Sequence, residues 1–114
     1  MAESFLSPAD RASFRADKPA KVDLFSGAAM FLGLNCFEPG QDQPIHSHAG
    51  ADKFYLILSG NARMIVGEQA RDVGPGTLVW APADVPHGVA QAYDRTIMLV
   101  GIAPPPRVAD YKSA

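Results

Sequence analysis

Three histidines are the only imidazoles in this chain of 114 residues, and their spacing is the first feature that could do chemistry. Two stand in Pro44-Ile45-His46-Ser47-His48 and the third in Val85-Pro86-His87-Gly88. On an extended segment residues i and i+2 share a face, so His46 and His48 can aim at one point. Neutral imidazole nitrogens bind a transition metal at about 2.0–2.1 Å, and a pair from alternate positions supplies two adjacent places of a coordination sphere. His87 lies 39 residues beyond His48 and must be carried to that point by the fold. A bare His-x-His pair also arises on solvated loops. The residues around the three rings separate the two readings.

Written with its neighbours, the first block is Gly40-x5-His46-x-His48-x4-Lys53-x6-Gly60. The second is Gly76-x5-Pro82-x-Asp84-x2-His87-x3-Gln91. Together they resemble the paired motifs of the cupin superfamily, G-x5-H-x-H-x(3,4)-E-x6-G and G-x5-P-x-G-x2-H-x3-N. The 15 residues between Gly60 and Gly76 are similar to the short spacing of its small single-domain microbial members. The resemblance implies an all-β chain, a single jelly-roll β-barrel, with a divalent metal ion (Fe, Mn, Ni or Zn) held in its mouth by His46, His48 and His87. Locally the anchors act as turn residues: glycine makes positive φ cheap at Gly40 and Gly60, and Pro82 and Pro86 stiffen the loop that presents His87.

The chain departs from that pattern where the family carries its glutamate, for Lys53 stands there. A protonated lysine cannot ligate, and a metal repels it. Three arrangements are open: a three-histidine centre with Lys53 turned away, a centre completed by the neighbouring Asp52, or a barrel without a functional metal. Asp52 and Lys53 face opposite sides of a regular strand, so the second requires a bulge or loop. Lys53 either snorkels outward along its stem or enters the barrel, where it could pair with an anionic substrate or act as a base. Asp84 replaces a glycine and can adopt the left-handed conformation at modest cost. Gln91 replaces an asparagine and keeps the amide.

The elements that must position these groups are short. Turn signals recur from Ser26-Gly27 to Tyr93-Asp94, and β-rich runs lie between them at 22–25, 29–37, 54–58, 62–66, 70–73, 78–81, 88–92 and 96–102. Many short strands at such spacing predict a sandwich or barrel. Helix is expected only at the start, where Ser7 can cap, Pro8 suits the first helical position and Asp10 follows. The organisation expected is an N-terminal helical or irregular arm over 1–21, the barrel over 22–103 and a proline-rich tail over 104–114. Arg11, Arg15, Lys18 and Lys21 read as a solvated basic stripe. Counting by two places Lys53, Tyr55, Val89 and Gln91 on the pocket side. Phe54, Leu56 and Leu58 then form an apolar outer face that needs cover, and a homodimer is expected to supply it. Trp80 and Met64 read as core or pocket wall, Cys36 as a buried inert thiol.

Ten basic and 12 acidic residues leave a net charge of −2, which argues against nucleic acid as a partner. A single cysteine excludes an intrachain disulfide. No apolar run approaches the roughly 20 residues of a membrane span, and the first residues lack the basic start and apolar stretch of a signal peptide, so a cytoplasmic protein without membrane partners is expected. No G-x-S-x-G or phosphate-binding glycine loop occurs. The functional expectation is a metal-binding protein for a small molecule. A dioxygenase-like enzyme with a three-histidine centre is weighed against a non-catalytic ligand-binding or sensing barrel. A sugar isomerase or epimerase is a third reading, with Lys53 and Tyr55 as its acid/base candidates.

Overall fold

In the computed structural model of this chain, which describes residues 3–106, nine strands follow a short 3-10 turn at Pro8–Arg11. The strands are β1 (Ala20–Ser26), β2 (Phe31–Phe37), β3 (Gln43–His46), β4 (Asp52–Ser59), β5 (Ala62–Val66), β6 (Gln69–Val73), β7 (Leu78–Ala81), β8 (His87–Ala92) and β9 (Thr96–Ala103). They form a five-stranded sheet in the order β1-β2-β9-β4-β7 and a four-stranded sheet in the order β3-β8-β5-β6. Every pairing is antiparallel. The chain passes repeatedly from one sheet to the other, which makes the jelly-roll barrel expected from the sequence.

Period-two alternation explains why these segments close on one another. On β4, Lys53, Tyr55 and Ile57 are buried between the sheets, while Phe54, Leu56 and Leu58 are only half-buried on the outer side. Phe37, Tyr55, Ile57, Met64, Val89 and Met98 lead the core between the sheets, and burying such side chains contributes about 1.5–3 kcal/mol each. A second cluster, Ala20, Leu34 and Cys36, lies on the outer side of the five-stranded sheet under Ala12 and Phe14 of the arm. The arm is thus a cover for part of that sheet. Arg95 helps to fasten it, with its guanidinium 4.3 Å from the Phe14 ring centre and an ion pair of 2.8 Å to Glu38. Cys36 is fully buried, as expected, and burial pushes its thiol above the usual range.

Several boundaries differ from expectation. β1 begins at Ala20, so Lys21 is part of a barrel strand, at an exposed position of it. The run at 29–37 starts only at Phe31, because Gly27 N–H donates to Met30 O (2.8 Å) and closes the β1–β2 hairpin. β3 carries Pro44 and pairs with β8 alone, the edge position that proline tolerates. Ser7 precedes the 3-10 turn but its side chain makes no cap hydrogen bond. Met64 is core, whereas Trp80 is 57% exposed on the outside of β7, because Val79 and Ala81 take the inward positions of that strand. Of the tail at 104–114, residues 107–114 lie outside the described residues, as do residues 1–2 of the arm.

Three motif glycines have positive φ: Gly40 at 88°, Gly60 at 84° and Gly76 at 86°. Their surroundings differ. A Cβ at Gly40 would meet nothing within 4 Å, whereas one at Gly60 would strike the Arg95 carbonyl and Thr96. We expect Gly40→Ala to cost only the left-handed strain of about 1–2 kcal/mol. Gly60→Ala should add a packing clash of about 1–3 kcal/mol. Thermal denaturation of the two variants side by side checks the order, and equal losses would contradict it.

Candidate metal centre

His46 and His87 occupy paired positions across the β3–β8 ladder, so one antiparallel register brings the two rings together edge-on, 63° between their planes. His48 follows two residues after His46, just beyond β3. Each ring offers one nitrogen to a common point, and the three atoms lie within 4.8 Å of one another. Ring centroids are 4.5 Å apart for His46–His87, 5.0 Å for His46–His48 and 5.6 Å for His48–His87. The sequence expectation that these rings converge is met.

The backbone fixes which nitrogen faces inward. His46 Nδ1 lies 2.8 Å from Pro44 O and His87 Nδ1 lies 3.0 Å from Val85 O. A carbonyl only accepts, so each Nδ1 carries the proton and each Nε2 keeps the lone pair. Both Nε2 atoms are buried without a hydrogen-bond partner, an arrangement costly in a protein interior unless something else satisfies it. Burial holds both imidazoles below their ordinary range, His87 down to about 4, and the Lys53 charge adds to the effect on each. Neutral rings with lone pairs aimed at one point fit a divalent transition metal ion. The supporting loops are tied together by Asp84 N–H donating to His48 O (3.0 Å) and Gly67 N–H donating to Pro86 O (2.8 Å). Asp84 sits at φ 67°, the left-handed conformation expected of a residue in a glycine's place.

Lys53 does not turn away. It is 4% exposed, with Nζ 4.6 Å from the Tyr55 ring centre, because regular alternation on β4 directs it into the barrel with Tyr55 and Ile57. Among the described residues it forms no ion pair, and burial, aided by the Lys21 charge, pushes its ammonium down to about 7. Asp52 points the opposite way and is exposed. Its Oδ1 accepts from Ala83 N–H (2.9 Å), which orders the turn leading to His87. No bulge lies at this position, since Asp52 and Lys53 pair in step with Ala103 and Ile102, so Asp52 does not complete the centre.

Of the remaining pocket residues, Tyr55 and Val89 are buried as expected. The Tyr55 ring lies 6.1 Å from that of His87, and its hydroxyl donates to Gln43 Oε1 (2.9 Å). Burial raises the phenol further, so Tyr55 is a packed donor and not a base. Gln91 is exposed and does not line the mouth. Met64 pairs with Val89 and Arg63 with Gln91, which leaves Ala90 bulged and reverses the alternation after Val89. Sequence reasoning missed Gln43, Lys21 and Asn35. Lys21 and Asn35 form a cross-strand pair facing a recess beside His48, and an earlier start for β1 would have found them.

The depressed ammonium has a consequence for stability. The folded value for Lys53, about 7, lies below its unfolded value of 10.5. The unfolded chain therefore holds more protons between those values, and stability rises with pH through that window. For metal-free protein we expect denaturant melts to show a gain of about 1–2 kcal/mol from pH 7 to 8.5, absent in Lys53→Met. A flat profile in the wild type would refute this.

Three comparisons bear on the chain. Residues 33–102 match the family model described as Cupin domain. An uncharacterized protein of Streptomyces coelicolor is 32% identical over 76 residues, 67% of this chain and 71% of that protein. The dimethylsulfoniopropionate lyase DddQ of Ruegeria pomeroyi is 39% identical over 56 residues, 48% of this chain but only 27% of the lyase. The crystal structure of TT1209 from Thermus thermophilus superposes with a TM-score of 0.86 at 34% identity, covering 91% of this chain and 100% of that one. With the two sheets, the paired motifs and the family match in agreement, the chain belongs to the cupin family.

Proposed function

We propose that this protein is a metal-dependent enzyme acting on a small organic molecule, of the oxygen-using, dioxygenase-like kind. The observation that carries the reading is the convergence of His46, His48 and His87, whose ligating nitrogens lie within 4.8 Å of one another. These residues would hold Fe, Mn, Ni or Zn, with iron the ion suited to oxygen chemistry. The ion, when bound, supplies Lewis acidity and, for iron, electron transfer. The protein's own part is to keep the rings neutral, to hold their tautomers through Pro44 and Val85, and to exclude water. Tyr55, Val89, Met98 and Val100 form the dry wall of the barrel.

A second reading, elimination without oxygen, is favoured by the likeness to a dimethylsulfoniopropionate lyase across 56 residues. Oxygen separates the two. Iron-loaded full-length protein, offered small thiols and β-diketones, is expected to consume O2, and His87→Ala is expected to lose both the metal and the uptake. Turnover that continues under nitrogen would replace the first reading with the second. Ligand binding without turnover would support a binding barrel instead.

We also propose that the protein works as a homodimer through the outer face of the five-stranded sheet. Leu78 (67% exposed) and Trp80 (57% exposed) adjoin the half-buried Phe54 and Leu56 across the β4–β7 ladder. Burying such a patch against its copy stabilises both subunits. Light scattering coupled to gel filtration should give twice the chain mass at micromolar concentration, and Trp80→Glu should halve it. A monomeric wild type would refute the dimer.

A further inference from the structure

A recess opens beside the histidines between β1, β2, β4 and β9. Its polar wall is Lys21, Asn35, His48 and Lys53, and its apolar wall includes Phe31, Val100 and Ile102. Among the described residues no carboxylate lines it. Two ammonium groups therefore face one concavity without a counter-ion among the described residues, near enough for the Lys21 charge to act on Lys53. Lys53 is 4% exposed and Asn35 5% exposed. Placing an unpaired cation at that depth disfavours its charged form, and an opposite charge within about 4–6 Å restores it. The recess holds about 40 Å³, against roughly 10–15 Å³ for one water, so it admits a head group of a few heavy atoms.

We infer that this recess is an anion subsite, in which Lys53 and Lys21 bind the carboxylate of a small monocarboxylic acid. The aliphatic part of the acid lies on the wall of Val100 and Ile102, and its reacting end is directed toward His46, His48 and His87. A carboxylate suits the site because the lining is mostly apolar and only one of the two ammonium groups is deeply buried. Asn35 adds an amide that a carboxylate can accept from, and a neutral acid derivative would leave Lys53 unpaired. The buried lysine where the family has a metal-binding glutamate then has a function of its own: it exchanges a ligand to the metal for a partner to the substrate. This inference rests on the reading that a small molecule binds at the histidine-lined mouth.

The probe is propionate, with propionamide as its uncharged counterpart and inorganic phosphate as a second anion, each titrated into full-length protein by NMR. Metal-free and zinc-loaded samples are measured in parallel, with metal stoichiometry determined on each. We expect propionate to bind at least tenfold more tightly than propionamide in both samples and more tightly than phosphate. Lys53→Met should lose at least tenfold in propionate affinity while its thermal stability is held or raised and its zinc is kept. Lys21→Gln, at an exposed position, should lose about threefold. Equal binding of acid and amide, or undiminished propionate binding by Lys53→Met, overturns the inference even when zinc is bound. Propionate binding that appears only with zinc also overturns it, since the metal would then be the anion's partner. If the wild type takes up no zinc but still prefers propionate, the metal reading fails and the anion subsite stands.

Discussion

The antiparallel register between β3 and β8 is the constraint on which the site depends. It sets His46 opposite His87 and leaves His48 to reach the same point from the chain just beyond. The proton on each of two rings is tied to a carbonyl two residues earlier, Pro44 for His46 and Val85 for His87. The same local device thus appears on both strands. It converts two flexible imidazoles into fixed lone pairs before any ligand arrives, which lowers the entropy lost on binding.

Against this ordered arrangement stands an unusual cost. The jelly roll buries Lys53 at the first inward position of a strand whose other inward residues are Tyr55 and Ile57. Tyr55 offers its ring face to the ammonium, but a cation–π contact recovers only about 2 kcal/mol when desolvated. The Tyr55 hydroxyl is already committed to Gln43. The fold therefore tolerates a cation that its own side chains leave without an acidic partner among the described residues.

Much of this was legible in the sequence, for reasons that differ from residue to residue. His46 and His48 could be paired because their spacing coincides with strand periodicity, and His87 was joined to them by the resemblance of both blocks to the paired cupin motifs. The inward direction of Tyr55 and Val89 followed from counting by two. The same count placed Gln91 wrongly, because no residue type announces the bulge at Ala90. Counting also put Lys53 on the Tyr55 face, yet the cost of burying a charge argued for an outward head, and regular β4 geometry overrode that preference. Asp52 looked like a spare ligand. Its actual work, accepting the Ala83 amide across 31 residues of chain, is a long-range contact invisible to local reading. Lys21 was missed by a strand boundary of two residues.

β3 is four residues long and lies at the border of its sheet, with β8 as its sole ladder partner. Two of the three imidazoles are delivered by this weakly anchored ribbon and the residues just after it, while the third comes from the better supported strand beside it. An ion seated among them would therefore act as a rivet through the rim of the barrel. Ion affinity and resistance of that rim to fraying become a single thermodynamic quantity, so whatever loosens the ribbon lets the ion go, and whatever removes the ion lets the ribbon peel.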